Sequence, residues 1–429
     1  MRSGLRKFLI VGHYHSSNRG DAAILDGLVG LLREGWPEAR IGVLAAHPGS
    51  VEEMHGLPAA VDAVTSRRFN GAYLAWRRLW LHRRAAALRG RTPAEFPAGA
   101  RDPRRSLEAF AWADAVVGAG GSYLHDIYRK PLIGYWLQFE LGRLLGKPVW
   151  LVGQSLGPYR SRFSRRLARR QLGAVDLLTV REPASLRVLD ALGLPADAAR
   201  CTADTAFALR PADPGRGRDL LAKEGVRFPG PPLLTVSVRH WRFYRGDAKE
   251  GHARYMRAVG AALRAFASTR PVQVAFLSTT TDRGGYRASD VPYARELAAG
   301  LDLPVPPLVV AGEYGPVDLV DMYAAADLHL GTRMHSDILA MSAGTPAVAI
   351  AYEDKTVGLM EMMDLRDLLL DIESLAAPEL EAVLARAWDD RRALRARLAP
   401  KVADLRGRAR RNLELMREAA DRLDATRRA

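Results

Sequence analysis

"LGTRMHSDILAMSAGTPAVAIAYEDKT", Leu330 to Thr356, decides the architecture. An apolar run stops at Gly331, "MHSDILAMSAG" has the composition of a helix and halts at Gly344 before Pro346, and "PAVAIAY" is then apolar at nearly every position. Short, continuous apolar runs on either side of a helix are the mark of parallel strands buried on both faces. In such a sandwich a polar group costs free energy unless something binds it. Yet Thr332, Arg333, His335 and Ser336 crowd the join between strand and helix.

Outward from that stretch the alternation repeats. "KFLIVGHY", "DAAILDGLVGLLREG" and "RIGVLAAH" read as strand, helix and strand near the start. An arginine-rich insertion at about 66–108 precedes "DAVVGAGG", "PLIGYWLQFELGRLLGK", "PVWLVGQSLGP", "RFSRRLARRQLGAV" and "DLLTVRE". Pro, Gly and charge interleave over 210–230, a linker composition, and the pattern restarts at "PLLTVSVRH". Two βαβ arrays predict an α/β protein of two Rossmann-like domains, over 1–212 and 231–375, joined by a linker at 213–230. Their parallel sheets are expected to face across a cleft, with a helical C-terminal tail over 376–429. In such sheets ligands sit beyond the carboxyl ends of the strands.

The bulk numbers narrow the class. The 429 residues carry a net charge of +15, from seven lysines and 56 arginines against 48 acids. Arginine's planar fork suits phosphate and carboxylate, so acidic partners are expected. The basic residues are spread along the whole chain without a nucleic-acid motif, which argues against a nucleic-acid function. The single Cys201 excludes an internal disulfide and a multi-cysteine metal site. No run of 18 uncharged apolar residues occurs, and "KFLIVG" is too short for a signal peptide. The expectation is a cytoplasmic protein.

Candidate chemistry collects at strand ends. Arg333 and His335 open a helix, where unpaired N–H groups and the dipole attract anions. Two cations there repel the dipole, and a bound polyanion would resolve the conflict. "TVSVRH" puts Arg239 at another strand end, and "AIAYEDKT" puts Lys355 in a further strand-to-helix turn. In the first half, "NRGD" offers Asn18 and Asp21 at a helix start, where Asp21 suits a cap. "GAGGSYLHD" offers Gly121 and His125, and "GQSLGP" offers Gln154. The glycines do not have dinucleotide-fingerprint spacing. No ligand cluster suggests a metal.

"NRGDAAI", "GAGGSYL", "GKPVWLVGQSLGP", "LLTVREPAS", "ADTAFAL", "TVSVR" and "LGTRMHSDILAMSAGTPAVAIAYEDK" occur in this order over about residues 8–370. In that series the chain resembles the polysaccharide pyruvyl transferase family. "REPAS" departs from the more usual Arg-Asp opening, and "ADTAF" lacks the usual proline. The resemblance implies a glycosyltransferase-B-like pair of domains, exopolysaccharide or cell-envelope biosynthesis, and transfer of a pyruvyl group from phosphoenolpyruvate to a sugar. The product is a cyclic ketal plus phosphate, and phosphoenolpyruvate is a co-substrate with no further cofactor. For that chemistry, Arg239, Arg333, Met334, His335 and Lys355 make a donor site in the second domain, with Arg239, Arg333 and His335 expected to be catalytic and His335, whose imidazole titrates near neutrality, as the acid. Asn18, Asp21, Gly121, His125 and Gln154 are then acceptor-side candidates in the first domain.

Two further readings stand beside this one. A two-Rossmann glycosyltransferase with a nucleotide-sugar donor shares the architecture, although no acidic residue is well placed for a ribose. "RRFNGAYLAWRRLWLHRR", Arg67 to Arg84, sets Phe69, Tyr73, Trp76 and Trp80 at helical spacing with Arg83 and Arg84 beside them. Such a helix can rest on an anionic membrane, which would suit a lipid-linked acceptor at the inner face, or dock on the protein's own core.

Overall fold

The computed structural model describes residues 4–13, 15–62, 71–99, 102–126, 129–213, 215–282 and 289–428, without the side chains of 71–78, 103–105, 129–131 and 427–428. The chain divides into two compact units. Met1–Ser16, Ile24–Ala208 and Leu405–Ala429 form the first, Ser17–Ala23 and Leu209–Asp404 the second.

In chain order the first stretch contains β1 (Lys7–His13), α1 (Arg19–Gly35), β2 (Arg40–Ala45), α2 (Pro48–His55), β3 (Ala59–Val61), α3 (Gly71–Leu88), α4 (Pro103–Trp112) and β4 (Ala115–Gly118). It continues with β5 (Gly121–Leu124), α5 (Arg129–Leu144), β6 (Val149–Leu156), α6 (Arg162–Leu172), β7 (Leu177–Val180), α7 (Pro183–Ala191) and β8 (Arg200–Cys201). The strands pair in the order β3-β2-β1-β4-β6-β7-β8, with β5 added beside β6, and every pairing is parallel. From β1 the chain moves one way to β2 and β3, and the other way from β4 to β6 and β7. Right-handed crossovers therefore put α1 and α2 on one face, and α5, α6 and α7 on the other. Between the layers Phe8, Trp36 and Trp150 pack ring against ring, and Phe110, Trp136 and Phe139 are buried.

The second stretch begins with α8 (Arg216–Lys223), which lies in the residues expected to form a bare linker. It is held there by Arg216, which pairs with Asp318 and Asp321, and by Ala212 N–H donating to Asp321. Then come β9 (Leu233–Ser237), α9 (Ala248–Ser268), β10 (Gln273–Phe276), α10 (Val291–Ala299), β11 (Leu308–Val309), α11 (Pro316–Ala324), β12 (Leu328–Gly331) and α12 (Met334–Ser342). After these follow β13 (Ala347–Ala351), α13 (Asp354–Met362), β14 (Leu369–Asp371), α14 (Ala377–Asp389) and α15 (Arg391–Arg428). The six strands pair in parallel in the order β11-β10-β9-β12-β13-β14. "LLTVS", "QVAF", "LHLG" and "AVAIA" are buried along their whole length, as continuous apolar runs between two helical layers must be.

Short strands account for what sequence patterning left out. β3, β5 and β14 have three or four residues each, too few to show a period. The tail is helical as expected, but it is shared: α14 and the first turns of α15 belong to the second unit, and Leu405 onward belongs to the first.

Candidate functional site

In the second sheet β9 and β12 are neighbours, with Ser237 opposite Gly331. Arg239 and Arg333 each stand two residues beyond that pair, at one level on strands about 4.8 Å apart. Thr332 N–H donates to Ser237 O at 3.0 Å and carries the ladder one residue further. Tyr352 follows the end of β13, the neighbour of β12 on its other side. The carboxyl edge thus gathers the residues that the sequence scatters over more than a hundred positions.

Arg239 lies over two rings, its guanidinium carbon 4.2 Å from the Tyr352 centroid and 5.0 Å from that of Trp241. Among the described residues no carboxylate pairs with it, and its Nε is buried without a hydrogen-bond partner. Such a donor costs free energy until an acceptor reaches it. Arg333 caps α12 and is differently placed: its Nε and Nη2 donate to the two oxygens of Asp290, at 2.7 Å each. Asp290 is almost wholly buried. Asp290 thus meets the Arg333 part of the charge conflict expected at this helix start.

His335 is the second residue of α12, and the backbone of Gly20 lies close to its ring. A Cβ at Gly20 would stand 2.5 Å from His335 Nδ1, so only glycine admits the imidazole there. Met334, the first residue of the helix, is buried. Lys355, in the first turn of α13, pairs with Glu353 at 2.5 Å and sits 5.8 Å from the Tyr352 centroid. All five residues expected at the donor site thus lie at the carboxyl ends of β9, β12 and β13. Two of them, Arg333 and Lys355, have protein carboxylates as partners.

A polar floor lies beneath. Ser336 Oγ meets Ser237 Oγ at 2.6 Å and His329 Nε2 at 3.0 Å, and donates to Arg333 O at 2.7 Å. His329 Nδ1 is 3.0 Å from Thr235 Oγ1. Burial lowers the His329 pKa to about 3, so the ring is neutral at pH 7. Asp337 is fully buried, with neither carboxyl oxygen hydrogen-bonded, and burial raises its pKa well above the usual value. Gly331 leaves room for it, since a Cβ there would fall 1.7 Å from Asp337 Oδ1. Beside Arg239, His240 stacks on Tyr293 at 4.8 Å, and His252 meets both edge-on. Burial, then His240, lowers the His252 pKa to about 4.

The acceptor-side candidates divide. Asn18 and Asp21, expected in the first domain, pack with the second unit. Asn18 forms an antiparallel bridge with Thr280, and Arg19 N–H donates to Thr279 O at 2.8 Å. Asn18 accepts from Gly20 N–H at 3.1 Å and donates to Asp21 at 3.0 Å, so the pair shapes the turn that presents Gly20. Arg19 itself is buried and held by Glu313 and the Tyr314 carbonyl. The other three lie in the first unit. Gly121 (φ +142°) pairs with Gln154 across β5 and β6. Gln154 is fully buried and donates to the carbonyls of Gly118 and Ala119 at 3.1 and 2.7 Å, which clamps the glycine turn. His125 is half-buried directly after β5.

Sequence reading missed two clusters in the first unit. His55 Nδ1 stands 2.6 Å from Asp26 and its Nε2 3.0 Å from Ser16 Oγ, which also meets His13 Nε2 at 3.0 Å. Burial, followed by the His55 and His15 charges, lowers the His13 pKa to about 3. Arg181 pairs with Asp204 and donates to Ser155 at 2.6 Å and Ser122 at 2.8 Å. Nothing in the sequence joined these partners, because they come from separate strand ends. Asp337 and His329 did carry a signal, as polar residues within apolar runs. Asp290, 43 residues from Arg333, carried none.

Of the proposed aromatic stripe, Phe69 and the side chains of Tyr73 and Trp76 lie outside the described residues. Trp80 packs against the core of its own unit. No helix among the described residues is long and apolar enough to cross a membrane. Nor does any group of three His, Cys, Asp or Glu among them stand where it could hold a metal ion.

Comparison with known proteins adds a family and a fold. Residues 18–354 match the polysaccharide pyruvyl transferase family. The amylovoran biosynthesis protein AmsJ of Erwinia amylovora is 29% identical over 376 residues, 86% of this chain and 89% of that one. Among solved structures, the UDP-GlcNAc 2-epimerase of Neisseria meningitidis, bound to UDP-GlcNAc, superposes with TM-score 0.57 at 10% identity, covering 96% of this chain and 99% of its own. HepE of Anabaena, in complex with UDP-glucose, gives 0.54 at 13% identity, over 98% and 99%. At such identities the likeness is one of fold: two parallel-sheet α/β domains of glycosyltransferase-B type.

Proposed function

Because the chain belongs to the polysaccharide pyruvyl transferase family, we propose that it moves a pyruvyl group from phosphoenolpyruvate to two hydroxyls of one sugar in a polysaccharide or glycolipid precursor. Arg239 carries this reading. It is a cation without a carboxylate partner among the described residues, with a buried unsatisfied Nε, just past the end of β9, the strand beside the one that leads to Arg333. Phosphoenolpyruvate puts a phosphate and a carboxylate on three carbons and needs such donors close together.

The chemistry assigns the parts. His335 gives a proton to the methylene carbon, and positive charge develops at the neighbouring carbon. One sugar hydroxyl adds there, the second displaces phosphate, and of the two hydroxyl protons one ends on the methyl group and one on phosphate. Arg239 holds the anion, the N–H groups at the start of α12 assist, and Asp290 fixes the plane of Arg333. General acid–base help is worth about 10²–10⁴-fold.

Incubation with phosphoenolpyruvate and a panel of lipid-linked and aryl glycosides, scored by product mass and released phosphate, tests the reaction. Arg239→Ala removes a charge-assisted contact worth about 1.5–3 kcal/mol, so kcat/KM should fall roughly tenfold to a hundredfold. His335→Ala should keep donor binding and lose turnover. Full activity in His335→Ala rejects the acid assignment. Thermal stabilisation by UDP- or GDP-sugars but not by phosphoenolpyruvate rejects the donor in favour of the glycosyltransferase reading.

A further inference from the structure

Helix α6, "RFSRRLARRQL", holds five arginines and no acid in eleven residues. Ser161 caps it, accepting from Ser164 N–H at 3.0 Å. Ser164, Ala168, Gln171 and Leu172 are buried, while Arg162, Arg165, Arg166, Arg169 and Arg170 are all exposed. At 3.6 residues per turn the five arginines and Phe163 fall within one arc of about 160°, along a helix about 16 Å long. Phe163 is 66% exposed, one of only three large apolar side chains so placed among the described residues.

The basic composition of the chain does not account for this face. Several exposed arginines elsewhere are matched: on α15, Arg397 pairs with Asp367, Arg410 with Glu34, and Arg411 with Glu414 and Glu418. On α6 none of the five has an ion pair among the described residues, and the one hydrogen bond from them is Arg165 to the Ala191 carbonyl, at 3.2 Å. Five like charges on three turns repel one another, and no carboxylate among the described residues pairs with them. An anionic surface would offset them. The apolar stripe of this helix is already docked on the core, so α6 cannot sink into a bilayer as an interfacial helix does. Its outward face can adsorb on one, with arginines on phosphates and Phe163 reaching past them. α5 packs between α3 and α6, so half-exposed Leu79 and exposed Arg83 of α3 share this side of the sheet.

We propose that the α6 face is a docking surface for an anionic lipid bilayer. Nucleic acid fits less well, because one phenylalanine on a convex helix offers no groove and no series of stacking platforms. The proposal stands whether or not phosphoenolpyruvate is the donor, since binding is read without catalysis.

Flotation of the full chain with phosphatidylcholine vesicles, with and without phosphatidylglycerol, tests it. The protein should float only with the anionic vesicles and detach as salt rises. Each basic residue near such a surface is worth about fivefold in partitioning. Arg162→Glu, Arg166→Glu, Arg169→Glu and Arg170→Glu combined should therefore lower binding at least about a hundredfold, with the melting temperature unchanged. Phe163→Ala alone should weaken it severalfold, while Arg83→Glu should have a smaller effect than the combined change. Failure to float at low salt overturns the proposal, as does undiminished binding by the combined variant. Displacement by single-stranded DNA with no dependence on Phe163 would assign the face to nucleic acid instead, and equally overturn it.

Discussion

Gly20 shows how one missing side chain can fix the place of an imidazole. The imidazole of His335 rests on its backbone, with no room for even a methyl group. Gly20→Ala should push the ring aside while leaving the sheet untouched. Turnover should drop at least tenfold, on the ground that small displacements of a reacting group carry large rate costs, and the melting temperature should hold. Normal kinetics in Gly20→Ala would show that the ring's position against Gly20 is irrelevant. Asp337 is a second case. Buried without hydrogen bonds, it is an acid kept protonated, and ionisation in the unfolded chain works against the fold above the usual carboxylate range. Asp337→Asn should raise stability more at pH 8 than at pH 5, as followed by urea midpoints.

At the scale of elements, the strand ends do the organising. Arg181 and Asp204 join the end of β7 to the loop after β8, both nearly buried. Removing one partner of a buried pair leaves the other charge uncompensated, which costs about 3–5 kcal/mol. Asp204→Ala should fall near the lower figure, because Ser155, Ser122 and Glu182 still meet Arg181, and denaturant melts would show it. The same elements explain what could be read in advance. Continuous apolar runs and glycine stops revealed both parallel sheets and the level of Arg239, Arg333 and His335, because strand ends are where period and composition change. Partnership was not legible. That Arg333 belongs to Asp290, Lys355 to Glu353 and Gln154 to two carbonyls depends on which loops fold back, and a local pattern has no record of that. The sequence also placed Asn18 and Asp21 with the strand they follow, whereas the backbone of Asn18 and Arg19 pairs with the Thr279–Thr280 segment after β10.

Across the whole molecule, buried neutral histidines set the response to acid. His13 and His329 have pKa values lowered to about 3, and His252 to about 4. Each is neutral in the fold and takes up a proton on unfolding once the pH drops below the unfolded value of about 6.5. Stability is therefore complete above that value and is lost progressively as pH falls toward 3–4. Asp337 acts with the opposite sign and offsets part of this loss. Urea midpoints should fall steadily from pH 7 to pH 5, and a flat profile would contradict the neutral histidines. The threading of the chain matters at this scale as well. Residues 17–23 leave the first unit for the second, and the last helix returns from the second to the first, where Asn412 bonds with Thr179 and Thr202 at 2.6 and 2.9 Å. A chimera with a relative cannot then be spliced at one junction near residue 209. A transplanted second half would have to bring its own version of 17–23 and hand back the native final 25 residues, four crossovers in all.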